Sequence, residues 1–266
     1  MIKAQINKLL ASLPENNQLE RIWILAKTDF KTRYYGTFLG LVWALINPLF
    51  RLAIYYVVFS MVMNNKIPNY GLYIFSGLVV WIFFQEATKN GMNVIQKKRY
   101  LLENIDFNRL DLFISSVLSS TMGLLFNIFV YLIVSSFFGI FPTLNLIYLP
   151  LILLNVCILV LAIGIILSVV HIFFRDIKQV WDMILIALFW LNPIFFAKSS
   201  KIFDKLPFLL YANPIAGIII NTRNVLLLDQ PPDWGILLFD YAYALGLLGI
   251  GLLMFKKLFH KAAEKF

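Results

Sequence analysis

The sequence is poor in charge, since Asp, Glu, Lys and Arg together make up only 14% of its residues. A soluble domain carries about 25% charged residues, so the polar surface that keeps a folded domain in water is missing. Hydrophobic residues make up 61% of the chain. They occur in runs that are long enough for helices of about 20 residues to cross a membrane. The sequence therefore predicts a polytopic, all-α integral membrane protein.

Residues that bind metals or perform catalysis are also scarce. The single cysteine, Cys157, excludes an internal disulfide, and His171 and His260 are the only histidines. The chain has no phosphate-binding loop of the form Gly-x-x-x-x-Gly-Lys-Ser/Thr, so we expect it to have no ATPase site and no metal site of its own. Its first 35 residues are basic and have no short apolar core, which predicts that no signal peptide is cleaved.

Six apolar stretches predict spanning helices, at residues 38–63, 70–88, 112–138, 146–171, 180–196 and 234–255. They form a membrane domain over 36–258, between a cytoplasmic segment, 1–35, and a cytoplasmic tail, 259–266. Lys and Arg concentrate in the segments that six spans would place on the side of the N-terminus, which predicts that both termini are cytoplasmic. The same tendency explains the net charge of +9, so we expect membrane lipids and no nucleic acid as partners.

Residues 19–31 have the pattern of an amphipathic interface helix. Apolar residues, among them Trp23, recur at helical spacing, while Lys27 lies on the opposite face. Such a helix lies in the plane of the membrane surface. The abrupt change to an almost wholly apolar run after Gly36 predicts that a stiff link, residues 33–41, joins this helix to the first span.

Residues 206–228 are apolar enough to form a seventh span, but Asn213-Pro214 and Arg223 argue against it. A seventh span would also move the basic C-terminal tail to the outer side of the membrane. We therefore expect two short outer helices, broken at the proline, that dip into the outer leaflet without crossing it. Irregular backbone at that depth requires packing on protein or a wet cavity.

Two repeated features predict local helix geometry. Asn-Pro-aliphatic tripeptides begin at Asn47, Asn192 and Asn213, and each proline can kink a helix so that it lines a cavity. Small residues between Ser115 and Gly123 form a stripe on the third span, which predicts close helix packing.

Arg51 is the clearest charge within a predicted span, where an arginine costs roughly 2.5–3.5 kcal/mol on insertion scales. We expect it to be a polar contact in a translocation path, a structural clamp between spans or a snorkelling residue near the outer leaflet. Glu86 and Asp240 are possible partners. Aromatic residues are dense in the first, second and fifth spans. They form either faces on which sugar rings slide or an interfacial belt.

The stretch "DFKTRYYGTFLGLVWALINPL" resembles the start of the permeases of ABC-2 type polysaccharide exporters, which serve O-antigen, capsule and teichoic acid export. "FRDI" after the fourth span and "ANPIAGIIINTRNVLL" with a following "QPP" before the last span are similar to the same family in order and spacing. The resemblance covers essentially the whole chain. It implies a homodimer in the bacterial cytoplasmic membrane that exports a lipid-linked polysaccharide with two copies of a separate ATPase, and that this partner binds ATP and Mg.

The resemblance also implies an interface helix at 19–31, a coupling segment at 90–110 and outer gate helices at 206–228. The residues it suggests for coupling to the ATPase are Trp23, Asp29, Arg33, Gln96, Lys97, Lys98, Arg99, Asp106, Phe107, Arg175 and Asp176. Those suggested for the translocation path, by span and depth, are Arg51, Tyr55, Tyr56, Phe59, Trp190, Phe195 and Phe196. Those suggested for the outer gate are Tyr211, Asn213, Pro214 and Arg223.

Two other functions stay open. The first is another ABC-2 exporter whose cargo is a teichoic acid, a capsule, a drug or a lipid. The second is a membrane-embedded transferase, which would need an acidic residue or a histidine whose replacement abolishes product formation.

Overall fold

A computed structural model of the chain describes residues 17–34, 40–63, 67–104, 108–196, 211, 213 and 215–263. Within these ranges the regular structure is helical and contains no strand, which confirms the predicted class. The α-helices of this part are α1 Gln18–Tyr34, α2 Trp43–Met63, α3 Tyr70–Lys97, α4 Arg99–Asn104, α5 Leu110–Phe137, α6 Leu149–Phe173, α7 Ile177–Leu191, α8 Ala216–Leu226 and α9 Trp234–Ala263. Short 3-10 helices, Gly40–Val42 and Leu144–Tyr148, precede α2 and α6.

Four of the described helices are long and apolar enough to cross a membrane: α3, α5, α6 with its preceding 3-10 turn, and α9 over Trp234–Leu258. They match the second, third, fourth and sixth predicted spans. The helices α2 and α7 occupy the first and fifth predicted spans, but the apolar part of α2 is the shorter Ile46–Val58 and α7 has only 15 residues. The protein is therefore a multi-pass membrane protein with four clear candidate spans in the described ranges.

Helix α3 continues beyond residue 88, where its span was expected to end, to Lys97. Val94 and Ile95 on this extension are buried in a cluster with Leu101, Leu112 and Phe113. Tertiary packing of this kind stabilises a helix more than the helix propensity of its own residues does. The expected coupling segment 90–110 is thus mostly helix, made of the end of α3 and α4, while residues 105–107 lie outside the described ranges.

Helices α3 and α6 form the centre of the bundle. Helix α6 lies along α3 and α9, and α3 also lies along α5. Gly91 of α3 meets Gly164 of α6 so closely that a Cβ placed on Gly91 would lie 2.8 Å from the Cα of Gly164. Small residues allow two membrane helices to approach backbone to backbone in this way.

The small-residue stripe on α5 is buried, as its packing role predicts. Ser115 and Ser119 are fully enclosed, and Ser116 and Ser120 nearly so. Helix α1 lies along α5, so the N-terminal helix is seated against protein.

Part of two sequence predictions lies outside the described residues. Helix α8 lies at the sequence position of the second of the two expected short helices, but residues 197–210 and Pro214 are not among those described. The same holds for residues 35–39 in the expected link between α1 and α2.

Candidate functional site

A buried ion pair fixes α1 to the bundle. Arg21 on α1 is 7% exposed, and Asp111 at the start of α5 is 0% exposed. The Nη2 and Nε groups of Arg21 donate to Oδ2 of Asp111 at 2.6 and 3.0 Å, and Gln18 donates to Oδ1 at 2.8 Å. Removing one partner would leave a buried charge uncompensated. The pair therefore determines where α1 lies.

The side of α1 that faces the bundle differs from the expected apolar face. Ile22, Leu25 and Ala26 are buried, whereas Leu19 and Trp23, expected to share that face, are 80% and 51% exposed. Several charged residues of α1 turn inwards instead, because their partners lie on neighbouring helices. Of the expected coupling residues on α1, Trp23 alone is largely exposed.

A second ion pair joins α1 to the turn between α3 and α4. The Nζ of Lys98 donates to Oδ2 of Asp29 at 2.5 Å and lies 3.5 Å from Oγ of Ser115. Burial lowers the pKa of Lys98, while the Asp29 carboxylate acts in the opposite direction. Lys98 is 7% exposed. The structure therefore places Lys98 inside the protein rather than on the partner-facing surface where it was expected.

Two further ion pairs continue from α1 across the bundle. Nη1 of Arg33 on α1 lies 2.6 Å from Oε1 of Glu86 on α3. Nζ of Lys89, also on α3, lies 2.6 Å from Oδ1 of Asp182 on α7. Residues three apart share a helix face, so Glu86 and Lys89 connect α1 to α7 along one side of α3.

The Arg33–Glu86 pair borders two open cavities, each lined by both polar and apolar side chains. One has a volume of about 490 Å³, lies beneath α1 and includes Lys97 in its wall. The other has a volume of about 590 Å³ and lies between α2 and α3, with Arg51 in its wall. Both cavities are lined by Arg33 and Glu86, so this ion pair forms a wall that they share.

Arg51 is exposed to the larger cavity. No hydrogen bond or ion pair of Arg51 occurs within the described ranges. Neither expected partner reaches it, because Glu86 pairs with Arg33 and Asp240 is buried on α9. The expected pairing with Glu86 or Asp240 is therefore wrong, and the charge lies beside space that water can occupy, as a charge at membrane depth requires.

Asp240 packs instead on the first turn of α8. Its carboxylate approaches Gly217 so closely that no room is left for a Cβ there. Its Oδ2 has no hydrogen-bond partner among the described residues. The carboxyl group thus lies at the N-terminal end of α8, and this end of a helix favours negative charge.

Aromatic rings from α2, α3 and α7 form one cluster around Phe189. The Phe189 ring centroid lies 5.5 Å from that of Tyr55, 5.6 Å from that of Trp81 and 5.4 Å from that of Phe195. Tyr55 and Phe195 were expected in the path, whereas Phe189 was not. The cluster joins α2 and α7 to α3.

The aromatic residues expected in the path differ in their exposure. Tyr56 and Trp190 are 46% and 54% exposed, so they present rings to whatever adjoins this chain. Phe196 is half-buried, and Phe195 is fully buried and belongs to the core. The side chain of Phe59 lies outside the described residues.

Arg223 holds α8 against α3 at the end of the bundle opposite α1. Its guanidinium lies over the ring of Tyr73, 3.5 Å from the centroid, and donates to the Tyr73 hydroxyl at 2.8 Å. It also donates to the backbone oxygens of Tyr73 and Ile194 at 3.3 and 3.4 Å. The Tyr73 hydroxyl donates in turn to the backbone oxygen of Phe196 at 2.9 Å. A planar guanidinium suits such combined stacking and hydrogen bonding, so Arg223 is a buried clamp.

Two of the three Asn-Pro tripeptides meet beside this clamp. Nδ2 of Asn213 donates to Oδ1 of Asn192 at 3.0 Å, and Asn192 donates to the backbone oxygen of Leu188 at 2.7 Å. The backbone N–H of Ile215 donates to Oδ1 of Asn213 at 3.3 Å. The repeated asparagines thus satisfy each other and nearby backbone groups at irregular positions.

The other expected site residues lie apart from these clusters. Tyr211 packs its ring on Phe239 of α9, with 5.3 Å between the centroids. The expected coupling residues that are exposed near the α1 end of the bundle are Gln96, Lys97, Arg99, Arg175 and Asp176. Those outside the described residues are Asp106, Phe107 and Pro214.

The sequence reasoning missed Asp111, Lys89, Asp182 and Tyr73. One signal pointed to Asp111, because it is the last acidic or basic residue before a stretch, 112–174, that has no Asp, Glu, Lys or Arg. A carboxylate at the start of such a span requires a partner. No comparable signal marks Lys89 and Asp182, since their pairing depends on how two distant helices are placed.

The described part of the chain is thus a helical membrane bundle with a clamped N-terminal helix and two open cavities beside it. The ABC-2 type transporter family matches residues 20–227, and the chain therefore belongs to that family. The chain is similar to an O-antigen export system permease protein RfbA of Klebsiella pneumoniae, with 29% identity over 91% of this chain and 93% of that protein. The corresponding permease of Myxococcus xanthus is 27% identical over 79% and 81% of the two chains. The polysialic acid transport protein KpsM of Escherichia coli is 23% identical over 86% and 89%.

Proposed function

We propose that this chain is the transmembrane subunit of an ATP-driven exporter that moves a lipid-linked, O-antigen-like polysaccharide across the bacterial cytoplasmic membrane. The observation that carries the proposal is the similarity to an O-antigen export permease along 91% of this chain and 93% of that relative. Similarity over nearly the whole of both chains supports a shared function more strongly than similarity over a fragment would. The relatives compared above all come from bacteria.

In this proposal two copies of the chain work with two copies of a cytoplasmic ATPase, which binds ATP and Mg. The absence of a phosphate-binding loop from the sequence agrees with an ATPase on another chain. Helix α1 supports a contact with that partner, because it presents Leu19 and Trp23 outwards while its other side is clamped to the bundle. The ATP-bound partner must interact differently with the closed and open states if binding is to open the path.

The proposed topology has six spans with both termini in the cytoplasm. Helix α2 has 21 residues, which gives a length of about 31 Å at 1.5 Å per residue, enough for a hydrocarbon core of about 30 Å. Helix α7 is shorter, and the segment up to Phe196 would complete the crossing. Helix α8 dips into the outer leaflet, a location supported by the burial of Arg223 among protein groups.

Single cysteines at Asp229 and Lys257, in a Cys157→Ser background, test this topology. Both positions are exposed, so a membrane-impermeant maleimide should label Asp229→Cys in intact cells and Lys257→Cys only after the membrane is opened. Labelling of both from the same side would contradict six spans.

The path would begin at the cavity that Arg51 lines and continue between the α2 and α7 helices of two protomers. Both helices have large exposed faces in the single chain, which agrees with a second copy beside them. Tyr56 and Trp190 offer the aromatic faces on which sugar rings could slide. The similarity to a polysialic acid transport protein favours a capsular polymer as the second candidate cargo, at a lower identity.

Purification of the tagged chain from the membranes of its own organism tests the proposal. We expect an ABC-type ATPase to co-purify in an amount equal to that of the chain. We also expect the membrane extract to contain a lipid-linked glycan. Replacing the phosphate-binding lysine of that ATPase should stop export while leaving the complex intact. A chain that purifies with no ATPase would contradict the proposal.

A further inference from the structure

We propose that Glu86, Lys89 and Asp182 are positioning residues that transmit movement from α1 through α3 to α7. This inference rests on the proposed function, in which ATP-driven movement enters the permease at α1. The chain connection from α1 to α2 is one route by which movement of α1 can enter the membrane domain. The ion pairs add a second route, which reaches α7.

The route is continuous in the structure. Arg33 on α1 lies 2.6 Å from Glu86 on α3, and Lys89 on α3 lies 2.6 Å from Asp182 on α7. Glu86 and Lys89 are three residues apart and therefore project from the same side of α3. Two ion pairs, one helical turn apart on α3, thus connect three helices.

Helices α1 and α3 are linked in this region by an ion pair that lies between two open cavities. Both cavities described above have Arg33 and Glu86 in their walls, so the ion pair bridges a gap that apolar packing leaves open. The first turns of α1 are meanwhile fixed to α5 by the buried Arg21–Asp111 pair. Because α5 lies along α3, the three helices α1, α3 and α5 form one unit.

Helix α7 packs against this unit with few of its side chains. Its only buried side chains in the described structure are those of Trp181 and Leu185. The indole of Trp181 donates to Oγ1 of Thr88 at 3.2 Å, directly beside the Lys89–Asp182 pair. Consecutive residues of α3 therefore contact consecutive residues of α7 at the end nearest α1. Further along α7, Phe189 packs on Trp81 of α3, and most other apolar side chains of α7 are exposed.

The ion pairs of this route are not part of the core. The side chains of Lys89 and Asp182 are 38% and 42% exposed, and those of Arg33 and Glu86 are 21% and 37% exposed. Pairs with this exposure contribute little to stability. Their loss should therefore leave the fold intact and change how far α7 follows α1, which makes the route testable with folded variants.

Charge reversal tests the proposal in a strain whose own copy of the gene is deleted. The variants are Lys89→Glu, Asp182→Lys and the double swap, each compared with wild type for surface polysaccharide per membrane-embedded chain and for co-purifying ATPase. Each single reversal should lower export by about 5-fold or more, the lower end of typical coupling between sites, with the ATPase still bound. The double swap should restore export, because it restores the attraction in reverse order.

Lys257→Glu is the control for charge reversal itself. Lys257 is an exposed residue of α9 that forms no ion pair within the described ranges, so its reversal should leave export unchanged. Asp182→Asn keeps the shape of the side chain but removes its charge, so it should also lower export. This variant tests the proposal in the case in which a reversed charge prevents the chain from accumulating in the membrane. Normal export by both single reversals and by Asp182→Asn would overturn the proposal, as would a double swap that accumulates normally yet stays as impaired as the singles. If the wild-type chain itself fails to restore export, the proposed function fails instead.

Discussion

Replacing Asp111 with asparagine should release α1 from the bundle. The substitution keeps the shape of the side chain but removes the negative charge that faces the buried Arg21 guanidinium, which is 7% exposed. Removing one partner of a buried ion pair costs about 3–5 kcal/mol. Since each 1.4 kcal/mol is a factor of about ten in an equilibrium constant, detachment of α1 should become at least about 100-fold more favourable.

Hydrogen–deuterium exchange of the purified protein measures this change directly. Peptides from α1 should lose protection in Asp111→Asn, and this loss can be no larger than the protection that they have in wild type. Peptides from α6 should keep their protection. The double variant Arg21→Met with Asp111→Leu is the control, because replacing both buried charges by apolar groups is often neutral. Wild-type exchange of α1 in the single variant would refute the view that this pair holds the helix.

Three further substitutions test the clamps inside the bundle, each by the free energy of unfolding or the thermal midpoint in detergent. Gly91→Leu should destabilise by about 1–3 kcal/mol through overpacking against Gly164, whereas Gly246→Leu, where a Cβ meets nothing within 4 Å, should not. Arg223→Lys should cost about 1.5–3 kcal/mol because an ammonium cannot reproduce the contacts to Tyr73 and Ile194. Asn213→Ala should cost about 1–3 kcal/mol by leaving the buried Asn192 amide oxygen unpaired.

The helices of the membrane domain could be predicted because apolar runs determine them almost alone. Each predicted span contains a helix in the described ranges. The main error in length was in α3, which runs past residue 88 to Lys97. The buried cluster of Val94 and Ile95 with residues of α4 and α5 stabilises that extension, and a hydropathy pattern contains no information about such packing.

The candidate site was harder to predict because it is made of pairs between distant helices. The apolar periodicity of α1 indicated a helix, yet the buried side is set by Asp111, about 90 positions further along the chain. Arg223 was expected at a gate, but its role depends on Tyr73, 150 positions away. The repeated Asn-Pro pattern was visible in the sequence, and its physical meaning, an amide pair between Asn192 and Asn213, required the fold.

Deletion of the gene for this chain, followed by a comparison of polysaccharide on the cell surface with polysaccharide inside the cell, tests the proposed export function most directly. Surface polysaccharide should disappear, its lipid-linked form should accumulate on the cytoplasmic side, and the wild-type gene should restore export. Surface polysaccharide that stays at the level of the parent strain, with no accumulation inside, would contradict the export function.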